Sequence, residues 1–207
     1  MKLDGPTLVI FAKAPIAGQV KTRLAPALGH AGAAALYRRL LDRLVARLAP
    51  APGWTTLLAV TPDAAATDAA LWPAPSLWGP ARHGQGQGDL GQRMRAWLDR
   101  ARPDAPLVLV GSDIPAMTAA HIADGFAALR AAPGALVFGP AEDGGFWLIG
   151  ADRPPPPALF TSVRWSTAHA LADTLASLGA HPVRQIARLR DLDEPEDLAA
   201  LEDDDDR

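Results

Sequence analysis

Three cations follow an apolar run near the start of the chain, in a stretch that is punctuated by glycine and proline. The stretch reads FAKAPIAGQVKTRLAP over residues 11–26 and contains Lys13, Lys21 and Arg23. A diphosphate needs several positive groups and N–H donors that converge on it, and Gly18 allows the backbone to approach such an anion closely. The spacing differs from that of the GxxxxGK[ST] phosphate loop. These residues predict a diphosphate site, and a solvated surface loop is the alternative interpretation.

A carboxylate follows the most apolar stretch of the sequence. Asp113 lies in VLVGSDIP, directly after the run Leu107–Gly111. An aspartate at this position can bind Mg²⁺ or Mn²⁺ through one oxygen, while diphosphate oxygens and water complete the coordination. A helix-capping or turn aspartate would have similar neighbours. The position after a buried strand favours the metal ligand.

Two further aspartates lie in acidic or glycine-rich segments nearer the C-terminus. Asp143 precedes two glycines in GPAEDGGFWLIG, where the backbone can approach a ligand closely. A hairpin turn is the alternative, because Asp-Gly is a strong hairpin signal. DLDEPEDL offers Asp191 and Asp193, one of which is a candidate second metal ligand, while the later acids are typical of a first helical turn.

The order of apolar runs and amphipathic stretches predicts an α/β fold. Strands are predicted at residues 7–12, 55–60, 107–111, 135–139, 146–150 and 182–189, and helices at 29–49, from about 63 to 71, from Asp89, from Thr118 and at 167–178. Strands that alternate with helices indicate a three-layer α/β/α domain with a mostly parallel central sheet. The runs at 135–139 and 146–150 are too close for a helical crossover, so one of them should be antiparallel or lie on a side sheet. Residues 72–88 are predicted to form a long functional loop.

The predicted sheet brings the chemistry-bearing residues to one place. Ligands of such sheets bind at the carboxyl ends of the strands. Lys13, Asp113 and Asp143 each come at or just after a predicted strand end. We therefore expect cations and carboxylates at one edge of the sheet.

Composition limits the classes of partner. The 207 residues fit a single domain over 1–207, with the acidic run 202–207 as a flexible tail. A net charge of −3 provides no global basic field, so nucleic acid is not an expected partner. There is no cysteine, which excludes disulfides and thiolate metal sites. No apolar stretch approaches the roughly 20 residues of a membrane span, so we expect a cytoplasmic protein without membrane insertion. No feature of the sequence indicates an oligomeric state.

Six segments together resemble a known family. They are residues 11–24, 88–94 (GDLGQRM), 111–115 (GSDIP), 139–150, 165–167 (WST) and 191–198. This set is similar to a family of small bacterial glycosyltransferase-A-like proteins, formerly a domain of unknown function and also named radical-SAM-associated transferases. The resemblance implies the Rossmann-like fold of the nucleotide-diphospho-sugar transferase superfamily.

The resemblance also implies roles for individual residues. The residues matched to the basic phosphate loop are Phe11, Lys13, Gly18, Lys21 and Arg23. Asp113 matches the metal aspartate, with Asp193 as a second candidate. Asp89 and Arg93 fall in a motif near the nucleotide pocket, although Gln92 stands where an acidic residue is usual. We expect Lys21 to act in catalysis by stabilising the departing diphosphate, Asp143 to be the base, and Trp165 to contact the acceptor.

The implied activity is metal-dependent transfer of a glycosyl group from a nucleotide sugar to a small-molecule acceptor. Mg²⁺ or Mn²⁺ would be the cofactor. The nearest alternative is nucleotidyl transfer of the phospholactate guanylyltransferase type, in which an NTP and a phosphorylated acceptor release pyrophosphate. A third possibility is a regulatory nucleotide-binding domain without catalysis, against which Asp113 and Asp143 argue.

Overall fold

The computed structural model describes residues 2–72 and 79–190, and within them the strands form one sheet. The strands are β1 (Thr7–Lys13), β2 (Thr55–Thr61), β3 (Ala81–Gly84), β4 (Leu107–Gly111), β5 (Leu136–Pro140), β6 (Phe146–Ala151) and β7 (Val183–Gln185). The α-helices are α1 (Ala25–Leu48), α2 (Leu90–Leu98), α3 (Ala119–Ala131) and α4 (Ala170–Ser177). The predictions for Asp193 and for the acidic tail at 202–207 lie outside the described residues.

The strand order is β3-β2-β1-β4-β6-β5-β7. Strand β6 is antiparallel to both of its neighbours, β4 and β5, and every other neighbouring pair is parallel. This confirms that one of the two adjacent C-terminal runs is antiparallel. Because β6 reverses the chain, the turn between β5 and β6 lies at the same edge as the carboxyl ends of β1 and β4.

Helices cover both faces of the sheet. On one face, α1 and α3 pack against alternate side chains of the central strands, such as Leu8 and Ile10 of β1. On the other face, α2 and α4 pack against the intervening side chains, such as Val9 and Phe11. All of these β1 side chains are buried, which explains the unbroken apolar run of the strand. The predicted three-layer α/β/α architecture is confirmed.

Three local predictions were wrong. The stretch at 63–71 forms two short 3-10 helices, Asp63–Ala66 and Ala69–Leu71, because Asp68 accepts a hydrogen bond from the Ala70 N–H and starts a new turn. Residues 72–88 are not all loop, since β3 lies within them as an edge strand without apolar alternation. The last strand is also much shorter than predicted.

The helix boundaries also differ from the predictions. Helix α1 begins at Ala25, with Pro26 in its first turn, and Gly29 interrupts it with φ 70° and ψ 162°. Helix α4 begins three residues later than predicted. None of the helices in residues 2–72 and 79–190 combines the length and the apolar character needed to cross a bilayer.

Candidate active site

The carboxyl ends of β1 and β4 carry the first two predicted site residues. Lys13 is the last residue of β1, and Asp113 follows β4 by two residues. Strands β1 and β4 are parallel neighbours, with Phe11 paired to Gly111. The sheet therefore brings the cation and the carboxylate to the same edge, as the sequence predicted.

The basic loop is anchored to the body of the protein at defined points. Val20 and Leu24 are buried on either side of Lys21, and the Ala14 N–H donates to the Thr61 carbonyl at 2.8 Å. Lys21 itself has φ 45° and ψ 43°, a left-handed conformation that is uncommon for a residue with a Cβ. Such conformations occur frequently at functional sites, where the surrounding structure holds them in place.

This conformation directs the Lys21 side chain to Asp113. Its Nζ lies 3.0 Å from Asp113 Oδ1, and the Lys21 side chain is only 5% exposed while that of Asp113 is 51% exposed. The buried ammonium is thus paired with a carboxylate that still faces solvent on its other side. The ion pair therefore joins Lys21, which the sequence assigns to the diphosphate site, to Asp113, which it assigns to the metal site. The other cations of the loop, Lys13 and Arg23, are exposed.

Tyr37 of α1 links the two strand ends. Its hydroxyl accepts a hydrogen bond from the Lys13 N–H at 3.0 Å and lies 3.0 Å from Ser112 Oγ, next to Asp113. Burial raises the pKa of Tyr37 well above its ordinary value, and the negative charge of Asp113 raises that pKa further. The phenol is therefore neutral. The sequence alone does not single out Tyr37, because a buried tyrosine follows the same helical period as leucine.

Arg47, also on α1, holds the segment after Asp113. Its Nη1 donates to the Pro115 carbonyl at 2.6 Å and to the Met117 carbonyl at 2.9 Å. Two carbonyls of one loop are thus fixed by one cation. The chain on both sides of Asp113 is therefore anchored, by Tyr37 at Ser112 and by Arg47 at Pro115 and Met117.

A second group of predicted residues lies where β3 leads into α2. Asp89 caps α2, with its Oδ1 accepting from the Gln92 N–H at 2.8 Å, and the Gln92 Oε1 accepts from the Asp89 N–H at 2.9 Å. Gln92 thus completes a reciprocal capping box, a position that glutamine and glutamate both fill. Arg93 is half-buried in the same turn and donates from Nε to the Asp89 carbonyl at 3.3 Å.

Asp143 lies in the turn between β5 and β6, at the same edge of the sheet. Its Oδ1 accepts from the Gly145 N–H at 2.8 Å, so one carboxylate oxygen shapes the turn. The side chain is exposed to solvent. The hairpin interpretation is correct for the local structure, and the position remains compatible with a base.

Trp165 belongs to an aromatic cluster beside this turn. Its ring centroid lies 5.3 Å from that of Phe160 and 6.3 Å from that of Phe146. A Cβ on Gly91 of α2 would lie 2.8 Å from the Trp165 ring, so this glycine allows the indole to pack on the start of α2. The half-buried indole is therefore placed between the Asp143 turn and the helix that carries Arg93.

Phe11 and the metal ligands complete the predicted set. The Phe11 ring is 8% exposed and packs edge-on against Trp97, so it contributes to the core beneath the site. Among residues 2–72 and 79–190, no three carboxylate or imidazole side chains cluster so that they could hold a metal ion alone. Asp113 therefore offers one hard oxygen ligand, which fits a Mg²⁺ or Mn²⁺ ion that takes its remaining ligands from phosphates and water.

The fold and this edge define a glycosyltransferase-A-like member of the nucleotide-diphospho-sugar transferase superfamily. More particularly, the chain belongs to the family described as an uncharacterized protein conserved in bacteria, DUF2064, whose profile matches residues 44–167. The resemblance noted from the sequence is thereby confirmed. A comparison with curated proteins gave no significant match.

Solved structures of transferases share the fold. A candidate nucleotide-diphospho-sugar transferase from Desulfovibrio desulfuricans G20 is 29% identical with a TM-score of 0.78, covering 95% of this chain and 86% of that one. A cytidylyltransferase from Leptospira borgpetersenii is 13% identical with a TM-score of 0.59, covering 96% and 85%. Glucosyl-3-phosphoglycerate synthase from Mycobacterium tuberculosis, solved with Mn²⁺ and UDP, is 13% identical with a TM-score of 0.53, covering 95% and 75%. The last two similarities concern the fold alone.

Proposed function

We propose that this protein is a metal-dependent glycosyltransferase that uses a nucleoside diphosphate sugar as donor and a small molecule as acceptor. The observation that carries the proposal is the contact of Lys21 with Asp113, which joins the basic loop to the carboxylate after β4. A diphosphate leaving group gains negative charge as its bond to the sugar breaks. Cations held at that point stabilise the transition state more than the ground state.

In this proposal the exposed and buried cations of the loop have different roles. Lys13 and Arg23 are exposed and bind the diphosphate, while the buried Lys21 ammonium sits between the diphosphate and Asp113. Asp113 and, outside the described residues, Asp193 would hold Mg²⁺ or Mn²⁺. The ion would supply further positive charge to the phosphate oxygens.

Asp143 is the proposed base. Its exposed carboxylate would accept the proton of the acceptor nucleophile as the new bond to the sugar forms. The turn hydrogen bond from Gly145 fixes the side chain by one oxygen and leaves the other to take the proton. Trp165, which packs beside this turn, supports acceptor binding through its half-buried ring.

Nucleotidyl transfer is the second candidate. The cytidylyltransferase from Leptospira borgpetersenii shares the fold with a TM-score of 0.59. The same basic loop and aspartate would then bind an NTP, and pyrophosphate would be the leaving group. Gly18 is the only glycine between β1 and Lys21, whereas a glycine-richer loop is common in nucleotidyltransferases, so we favour glycosyl transfer.

A ligand panel distinguishes the two reactions. The protein is incubated with Mg²⁺ or Mn²⁺ and with NTPs, UDP-sugars or GDP-sugars, and thermal shift and released product are recorded. Stabilisation by a nucleotide sugar with release of a nucleoside diphosphate supports glycosyl transfer. Pyrophosphate release from an NTP supports the second candidate. The absence of any response to every nucleotide would exclude both.

Two variants test the residue roles in whichever reaction is found. Asp113→Ala removes the metal ligand and should lower turnover by a factor of about 100 or more. Asp143→Asn keeps an oxygen for the Gly145 N–H and should lower turnover about 100-fold with nucleotide affinity unchanged. If Asp143→Asn leaves transfer unchanged while Asp113→Ala abolishes it, the base assignment is wrong.

A further inference from the structure

Gln85, the residue that follows β3, is buried at the carboxyl ends of β1 and β2. It is 4% exposed, although it is a polar side chain in a loop of glycines and glutamines. Its Nε2 donates to the carbonyls of Ala12 and Ala59, both at 3.1 Å. Its Oε1 accepts a hydrogen bond from Nη1 of Arg93. The buried amide is therefore satisfied on both of its ends.

These contacts allow only one orientation of the amide. The two carbonyl oxygens can only accept hydrogen bonds, so the amide nitrogen must face them. The guanidinium of Arg93 can only donate, so the amide oxygen must face it. A flipped amide would set oxygen against two carbonyls and nitrogen against a cation. Gln85 thus connects the end of β1 to Arg93 in a fixed geometry.

Gln85 sets the position of the Arg93 guanidinium relative to Lys13. Ala12, which accepts from Gln85, directly precedes Lys13, and the Gln85 N–H donates to the Val60 carbonyl at 2.9 Å. The described contacts of the Arg93 guanidinium use its Nε and Nη1 atoms and leave its Nη2 edge for a ligand. An arginine of α2 whose guanidinium is held near the strand ends by Gln85 can present this edge to a phosphate oxygen with little loss of side-chain entropy.

We infer that Gln85 is a positioning residue that aims Arg93 at a phosphate group of the bound nucleotide. The inference rests on the proposed function, because it requires a nucleotide at this edge of the sheet. Gln85 does not touch the reacting atoms and acts through Arg93. If Gln85 only tied β1 to β2, its replacement would lower stability, and any effect of that replacement on nucleotide affinity would not depend on Arg93.

A double-mutant cycle separates these two roles. Gln85→Leu, Arg93→Ala and the double variant are prepared, and their dissociation constants are measured for Mg²⁺-pyrophosphate and for the nucleotide that most stabilises the wild type. We expect Gln85→Leu to weaken binding about tenfold in the wild-type background and to have no effect in the Arg93→Ala background. Gln87→Leu, in the same loop but exposed, is the matched control and should bind as the wild type does.

Each outcome decides the inference. Unchanged affinity in Gln85→Leu, or an equal loss in both backgrounds, overturns the positioning role while leaving the proposed function intact. If the wild type binds neither pyrophosphate nor any nucleotide, the proposed function fails and the inference fails with it. Gln85→Met, which has a similar length, replaces the leucine variant if that one does not fold.

Discussion

The Lys21–Asp113 pair places a protein cation on the carboxylate that is proposed to bind a metal ion. The pair is asymmetric, because the Lys21 side chain is 5% exposed and the Asp113 side chain is 51% exposed. The Lys21 ammonium is shielded from solvent, whereas the Asp113 carboxylate can accept a second cation on its exposed side. In the proposed mechanism, Lys21 and a divalent ion would share the negative charge of Asp113 until a nucleotide supplies more.

Replacing Lys21 should therefore change metal binding in the absence of nucleotide. We expect Lys21→Met to bind Mn²⁺ about fivefold more tightly than the wild type, because Asp113 loses its competing cation while its carboxylate stays half-exposed. The same variant should bind nucleotides more weakly. Electron paramagnetic resonance of free Mn²⁺ during a titration measures the affinity. Lys13→Met, whose side chain is exposed, is the control, and an unchanged or weaker Mn²⁺ affinity in Lys21→Met would contradict the competition.

Individual site residues differ in how far the sequence reveals them. The shared position of Lys13 and Asp113 was predictable because each comes at or just after the end of an apolar strand, and the carboxyl ends of parallel strands lie at one edge of the sheet. Tyr37 and Gln85 were not, since a buried tyrosine has the period of the helix core and a buried glutamine resembles any polar loop residue. Their roles depend on contacts between distant parts of the chain, of Tyr37 with Ser112 and of Gln85 with Ala12.

At the scale of elements, strand burial decided what could be predicted. Strands β1 and β4 lie in the middle of the sheet and are apolar on both faces, so their unbroken apolar runs predicted them. Strand β3 lies at the sheet edge, where its residues ARHG are mostly half-exposed, so its sequence has no apolar run and predicts a loop. Because β3 was not predicted, the burial of Gln85, which directly follows this strand, was not predicted either.

The β5–β6 turn and the segment before α4 are joined more tightly than their loop sequences suggest. Gly144 has φ 85°, and a Cβ on it would lie 2.2 Å from the Ala168 carbonyl oxygen. The Gly144 carbonyl accepts from the Leu171 N–H at 3.0 Å, in the first turn of α4. Only glycine allows this approach, which holds the segment carrying Trp165 beside Asp143.

Gly144→Ala should consequently separate these elements. We expect a loss of about 2 kcal/mol or more in the free energy of unfolding, because a left-handed alanine is strained and its methyl group meets backbone rather than a mobile side chain. Urea unfolding measures the loss. Gly179→Ala has a positive φ of 56° but open space around the added carbon, so it should lose only about 1 kcal/mol. Equal losses in the two variants would argue against the close approach.

At the scale of the whole molecule, a few perturbed groups set how stability responds to acid. Burial lowers the pKa of His83, so its protonation opposes folding as the pH falls below about 6.5. Hydrogen bonds from Arg164 hold the pKa of Asp173 well below its ordinary value, so this carboxylate stabilises the fold above its unfolded pKa and loses that effect as acid protonates it. Asp42 acts in the opposite direction. Burial raises its pKa, so its ionisation opposes folding as the pH rises above the unfolded pKa.

The alkaline limit should depend on one side chain. Tyr37 is the single tyrosine of the chain, and burial and then Asp113 raise its pKa above the unfolded value of about 10. Its contribution is complete below pH 10 and is lost as the pH rises above that value, since the unfolded chain releases the phenolic proton first.

We therefore expect the free energy of unfolding to be nearly constant from about pH 7 to pH 10 and to decline on both sides. Urea unfolding across this range measures it, and the ultraviolet absorbance of tyrosinate should rise only together with unfolding. Tyr37→Phe should start from a lower stability, because the Lys13 N–H loses its acceptor, but should lack the tyrosine-dependent decline above pH 10. Tyrosinate absorbance that rises near pH 10 in the folded protein would show that the phenol is accessible to solvent and that its bridge between β1 and Ser112 is not maintained.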